Sequence, residues 1–179
     1  MESLFSTSQR IKILEAVIFR TDSVSVNNIA SQLTLSKGLV SKYCQILLKE
    51  QILKKEKGKL VVADNASVKA VKILLNVKRI DTRIFGKYPF VTAAGLYGSC
   101  ARGENTEDSD VDLWVRVKDV EESKIASLTS EINKKIKNAK LVFLSDKKIE
   151  KLRKEDIMFY HSLAFGSIIL YGNRDAAQI

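Results

Sequence analysis

Two aspartates one residue apart follow closely on a glycine turn in GLYGSCARGENTEDSDVDLWV, residues 95–115. No other stretch of the chain constrains its fold as tightly. In SDVDLWVRV the side chains of a strand alternate, so Asp110, Asp112, Trp114 and Arg116 share one face and Val111, Leu113, Val115 and Val117 the other. The aliphatic face belongs to a core. Both aspartates are then expected to point towards the turn before them. Carboxylates this close repel one another, and a hard divalent cation, Mg²⁺ (or Mn²⁺), relieves the repulsion while keeping room for waters and phosphates. Gly98 and Ser99 supply a turn whose backbone N–H groups can approach a phosphate.

Around this motif the pattern reads strand (91–97), glycine turn, short helix, strand (111–117), helix (122–137), strand (140–144) and then helices to the end. Strands alternating with helices predict an α/β (α+β) layer with a small mixed sheet of three to four strands flanked by helices. His161, in a helix rich in aromatics, reads as a packing or surface residue. Phe159, Tyr160, Leu163, Phe165 and Ile168 read as core, and Cys100 as an incidental residue of an exposed loop.

The first third has a different character. Ser8 is expected to cap a helix carrying Ile11, Ile13, Leu14, Val17 and Ile18. A second helix begins after Val26 with Ile29, Ala30 and Leu33 inward, and Ser36 caps a third with Leu39, Val40, Tyr43, Ile46 and Leu47 on one face. QILKKEKGKLVVAD then holds two short β-capable pieces around Lys57 and Gly58, the signal of a hairpin. Three helices and a basic hairpin over residues 1–64 resemble the winged helix-turn-helix family of DNA-binding domains. The resemblance implies that the helix from Ser36 enters the major groove of duplex DNA, presenting Ser36, Lys37, Ser41, Lys42 and Gln45, while Lys55, Lys57 and Lys59 meet phosphates. A winged helix used only for protein contacts remains the alternative.

Residues 65–88 are expected to form a linking helix, with Val68, Val71, Leu74, Leu75 and Val77 making apolar contacts and Lys69, Lys72, Lys78 and Arg79 facing water. Gly86 and Pro89 mark the turn into the second domain, 89–179. At 179 residues the chain can hold two small domains, and 30 Lys and Arg against 21 Asp and Glu give a net charge of +9. That surplus suits an anionic partner, nucleic acid or nucleotide, though a lysine-rich solvated surface has the same composition. Cys44 and Cys100 lie in unrelated segments, so a reducing compartment is expected. The N-terminal pattern is unlike a signal peptide and no run reaches the roughly 18 apolar residues of a membrane span. The cytoplasm is the expected location, with no membrane partner, and a homodimer is left open.

GSCARG followed by SDVDLWV, residues 98–103 and 109–115, resembles the GS…SDxDL signature of the DNA polymerase β nucleotidyltransferase superfamily, in particular its minimal prokaryotic members. The resemblance extends over residues 91–172. It implies transfer of a nucleoside monophosphate from a nucleoside triphosphate to an acceptor hydroxyl, with release of pyrophosphate and two Mg²⁺ ions at the site. On that basis Gly98 and Ser99 hold the triphosphate, Asp110 and Asp112 are catalytic and hold the metals, and Arg102 neutralises phosphate charge. An ion pair within ENTEDSD is the other role open to Arg102. The chain departs from the family where a third carboxylate usually stands on the next strand. That strand reads AKLVFLS, with Lys140 at the apparent position, and no acid occurs in residues 139–145. Asp146 lies past the strand's far end. Three readings follow: a transferase, weak for want of the third carboxylate and fused to a DNA-binding domain; a nucleotide-sensing DNA-binding regulator; or an antitoxin that modifies a HEPN-type toxin partner.

Overall fold

The computed structural model describes residues 2–172; Met1 and residues 173–179, which the two expected domains include, lie outside the described residues. The chain divides into two compact units. The first runs to Leu75 and includes Asn105–Asp108, and the second takes Asn76–Glu104 and the described chain from Ser109 onward. The division falls inside one helix.

In the first unit a short α1 (Glu2–Phe5) precedes α2 (Ser8–Val17), α3 (Val26–Leu33) and α4 (Lys37–Lys49), followed by β1 (Leu53–Glu56), β2 (Lys59–Val62) and the start of α5 (Ala66–Arg79). Each of the three main helices starts on a hydroxyl that satisfies an otherwise orphaned first-turn N–H. Thr7 accepts from Arg10 N, Ser25 from Asn28 N and Ser36 from Leu39 N. Thr7, in extended conformation, thus takes the capping role expected of Ser8, which becomes the first residue of α2. Lys57 and Gly58 both have positive φ, 49° and 76°. These are the torsions of a tight two-residue hairpin turn, and they set the register Glu56↔Lys59 through Leu53↔Val62. Ile13, Leu14, Val17, Ile29, Val40, Tyr43 and Leu47 form one core with Val68, Val71 and Leu75 of α5. The Tyr43 hydroxyl, buried there, donates to Leu4 O at 2.8 Å.

Two expectations for α5 fail. Leu74 is exposed, and Lys72 is 9% exposed rather than solvated. The Lys72 ammonium donates to Asn105 O at 2.7 Å and lies over the Phe19 ring, so its stem packs while its charge finds a carbonyl and an aromatic face.

The second unit comprises the end of α5, α6 (Arg83–Gly86), β3 (Val91–Leu96), α7 (Gly98–Arg102), β4 (Val111–Val117), α8 (Glu122–Lys135), β5 (Ala139–Leu144), α9 (Asp146–Glu155), α10 (Ile157–Gly166) and β6 (Ile168–Tyr171). The sheet has four strands in the order β5-β4-β3-β6. β3 is antiparallel to both its neighbours, and β4 is parallel to β5 through the α8 crossover. The mixed α/β sheet with flanking helices is therefore as expected, with β6 as a strand where a helix had been foreseen. One face packs Ala94, Leu96, Leu113 and Val115 with Leu128 and Ile132 of α8. The other packs Ala93 and Trp114 with Ile149 of α9 and Leu163 of α10. Phe165, expected in the core, is 84% exposed. Among the described residues no helix is long and apolar enough to cross a membrane.

Candidate functional site

β3 ends at Leu96 and the chain turns through Tyr97 into the five-residue α7, whose first residue, Gly98, has φ +68°. This left-handed backbone favours glycine, and here the space also requires it. A Cβ at position 98 would fall on Asp112 Oδ2. Tyr97 N donates to Asp112 O at 3.0 Å, which ties the turn to β4 through the backbone. Cys100 Sγ donates to Asp110 O at 3.3 Å, and Gly103 closes α7 with φ +68°. A buried amide completes the frame: Asn76 Nδ2 donates to Cys100 O at 2.9 Å. The glycine turn and the aspartate pair, twelve or more positions apart in sequence, are thus neighbours in space.

The face carrying the aspartates is partly exposed at Asp110 and Asp112 and closes at Trp114. Trp114, two residues on, is fully buried between the sheet and the α9/α10 pair, and its indole lies where a Cβ of Gly95 would stand. Asp112 is half-buried. Burial pushes its carboxyl above the usual carboxylate range; Lys140 opposes this, Asp110 reinforces it and Arg102 opposes it. Burial also raises the Tyr97 phenol, with Asp112 adding to the effect. Cys100 is buried rather than exposed, and burial, followed by the Asp112 charge, pushes its thiol up to about 11.

The β4/β5 register pairs Asp112 with Lys140. Lys140 Nζ lies 2.6 Å from Asp110 Oδ2, and this hydrogen bond is the main cause of a raised lysine pKa. The resemblance had put Lys140 at the position of the family's third carboxylate, and the parallel ladder sets it beside Asp112. Asp146, at the start of α9, instead pairs with Arg116 at 2.9 Å. Arg102 Nε donates to Glu104 Oε2 at 2.8 Å, the ion pair within ENTEDSD, although its charge still reaches Asp112. His161 is exposed, its ring between Tyr160 and Phe165 on α10.

As donors, Asp110 and Asp112 suit one hard divalent cation: carboxylate oxygens share a strand face, and Gly98 leaves Asp112 the space a side chain would fill. Among the described residues, no third His, Cys, Asp or Glu joins them. Tyr97 and Asn76 were not singled out in the sequence. Asn76 carried a faint signal, an amide inside an apolar stretch of a lysine-rich helix.

In the first unit Ser36, Lys37, Ser41, Lys42 and Gln45 are all exposed on or beside α4, as are Lys55, Lys57 and Lys59 on the hairpin. Lys54, next to them, pairs with Glu56 at 3.1 Å.

No curated protein matches the chain by sequence. Similar solved structures include a Sulfolobus solfataricus protein assigned as a nucleotidyltransferase, 14% identical, which matches over 65% of this chain and 96% of its own with a TM-score of 0.42. A mutant of the MntA–HpeT toxin–antitoxin is 13% identical over 53% of this chain and 73% of its own, with a TM-score of 0.39. A tri-AMPylated Shewanella oneidensis HEPN toxin in complex with MNT antitoxin is 15% identical over 60% and 75%, with a TM-score of 0.34. The family model described as Polymerase beta, Nucleotidyltransferase matches residues 81–174. That match takes in the glycine turn, both aspartates and the whole four-stranded sheet, just over half of the chain, which therefore belongs to the polymerase β nucleotidyltransferase family.

Proposed function

We propose that residues 89–179 form a Mg²⁺-dependent nucleotidyltransferase domain that binds a nucleoside triphosphate and transfers its nucleoside monophosphate, slowly, to an acceptor hydroxyl. In this reaction a bond forms between the acceptor oxygen and the α-phosphorus, the bond from that phosphorus to the bridging oxygen breaks, and pyrophosphate leaves. The observation that carries this reading is the apposition of Gly98, at positive φ, to the Asp112 carboxylate inside the family match. Gly98 and Ser99 hold the triphosphate through their backbone, and the absence of a Cβ lets it come close. Asp110 and Asp112 hold Mg²⁺ (or Mn²⁺), which when bound neutralises phosphate charge and activates the attacking oxygen. Arg102, with its field on Asp112, adds positive charge near the phosphates. Lys140 stands where a basic carboxylate would serve and has no lone pair to offer as an ammonium. The acceptor's proton is left to water, so transfer is slow.

Residues 1–64 are proposed to be a winged helix-turn-helix that binds duplex DNA through Lys37, Ser41, Lys42, Lys55, Lys57 and Lys59, with 65–88 as the linking helix. What supports this is the order of α2, α3, α4 and the basic hairpin, with the six side chains exposed on its last two elements; residues 65–88 hold two helices, α5 and α6, and the start of α5 packs into the first core. Two cysteines buried in separate units suit a reducing cytoplasm.

The test is incubation of the full chain with Mg²⁺ and each labelled nucleoside triphosphate, alone and with cell extract. Pyrophosphate release with a labelled acceptor, lost when Asp110→Asn and Asp112→Asn are combined, is the expected result. Nucleotide binding with no label transferred under any condition would favour the second reading, a nucleotide-sensing regulator, which the Lys140–Asp110 pair already favours over fast catalysis. A labelled protein rather than nucleic acid would point to a modified partner such as a toxin.

A further inference from the structure

Resting on the nucleotidyltransferase reading above, we infer that Lys140 is a built-in cation: its ammonium holds the place on Asp110 that a second divalent ion would otherwise take, so the site accepts one divalent ion with its nucleotide. The geometry is fixed by the backbone. β4 and β5 pair in unbroken parallel register from Val111↔Ala139 to Arg116↔Leu144, which sets Lys140 directly beside Asp112. From there its Nζ reaches Asp110 Oδ2 at 2.6 Å.

Three features make this a constraint on metal number. A lysine ammonium has three donors and no acceptor, so it takes up carboxylate charge and can never ligate a cation. No third His, Cys, Asp or Glu joins the two aspartates among the described residues, so the protein ligands left for a second ion, besides phosphate and water, are these same two carboxylates, of which Asp110 already holds the ammonium. The charges also count against it. On the protein's side of the site, before nucleotide charge is added, two carboxylates already face one ammonium and one divalent ion, and Arg102 adds to that field. The ion pair itself is solvent-accessible, its side chains 64% and 42% exposed, and such pairs are weak when taken singly. Tethering on the neighbouring strand holds the ammonium at high effective concentration beside Asp110, a position that salt screens but does not remove.

The experiment counts Mn²⁺ bound to the full chain by electron paramagnetic resonance, with and without non-hydrolysable adenosine and guanosine triphosphate analogues. The unaltered protein should saturate at one Mn²⁺ per chain. Lys140→Met, which removes the ammonium and its hydrogen bond to Asp110 while keeping an unbranched side chain, should tighten that ion by about tenfold or more, the scale on which an adjacent charge shifts a neighbouring equilibrium. Lys140→Asp should admit a second ion when the analogue is present. Two ions on the unaltered protein, or unchanged Mn²⁺ affinity in Lys140→Met, would overturn the inference and leave the nucleotide site standing. If Lys140→Asp does not fold by circular dichroism, the other two measurements decide. Mn²⁺ binding undiminished by combined Asp110→Asn and Asp112→Asn, or absent from every version, would instead overturn the site reading itself.

Discussion

Two glycines set apart by three positions do separate jobs, and each can be tested. Gly98 combines φ +68° with a space in which an added Cβ would meet Asp112 Oδ2. Gly98→Ala must both hold an alanine in left-handed backbone, at about 1–2 kcal/mol, and push the carboxylate aside. Mg²⁺-dependent nucleotide binding should be lost by calorimetry while urea unfolding shows only a modest drop; unchanged binding would remove Gly98 from the site. Gly95→Ala drives a methyl into the Trp114 indole. It should destabilise by roughly 1–3 kcal/mol, as overpacking does, yet spare Mn²⁺ binding. Cys100 makes a third case. With its thiol raised to about 11 by burial and the Asp112 charge, little thiolate forms near neutrality. Iodoacetamide should label native Cys100 very slowly at pH 8, faster as pH rises towards 11, and readily in urea at pH 8; rapid native labelling at pH 8 would show the α7 turn to be open. That the aspartates would lie beside the glycine turn was legible because side chains alternate along β4 and the turn precedes it, although each signal alone also has a bland meaning. The burial of Cys100 was not, since it depends on α7 packing back into the core beside Leu96 and Leu113.

At the scale of elements, the basic hairpin carries the sharpest consequence. Lys55, Lys57 and Lys59 are exposed on or beside strands whose turn is pinned by Lys57 and Gly58, so three positive charges are displayed on a small rigid ribbon. If these lysines meet DNA phosphates, replacing all three by Gln should flatten the log–log salt dependence of duplex binding by up to about 2.7 units, at about 0.9 per phosphate contact. Fluorescence anisotropy from low to moderate salt measures this; an unaltered slope would take the hairpin out of the interface. The helix start at Ser36 and the hairpin turn were legible because capping and turn chemistry are local, whereas the caps at Thr7 and Ser25 were not singled out. β6 was not. SIILYG is a four-residue apolar run after a helix, and such a run reads equally as buried helix; only its pairing with β3 through Ala94↔Tyr171, Gly95↔Ile169 and Leu96↔Ile168 makes it a strand. Lys72 and Leu74 misled for a related reason: helical periodicity gives faces, but which face a segment such as Asn105–Asp108 will cover is decided by distant sequence.

For the whole molecule, the proposed nucleotide should stabilise the chain on binding, and a net charge of +9 suits a polyanion as it suits a lysine-rich solvated surface. A ligand that binds only the folded state adds about 2.7 kcal/mol at one hundred times its Kd. For a protein of this size that corresponds to roughly 5–10 °C in Tm, at about 2–4 °C per kcal/mol. The shift should need both parts of the ligand. Mg²⁺ alone meets two carboxylates already partly neutralised by Lys140, and triphosphate alone meets the repulsion of the negative charge that Asp110 and Asp112 retain. Thermal scans of the full chain should therefore show small shifts with either component and the full shift only with both together. Combining Asp110→Asn with Asp112→Asn should abolish the synergy, because neutral amides no longer hold the cation between protein and phosphates. Net charge offers a competing cause, since any polyanion can stabilise a basic protein without a site. Inorganic tripolyphosphate and 0.3 M salt separate the two: a non-specific effect follows the polyphosphate and fades with salt, whereas site binding keeps its Mg²⁺ requirement and its dependence on Asp112. An equal shift in the double variant would assign the stabilisation to surface charge and remove nucleotide binding from this face of β4.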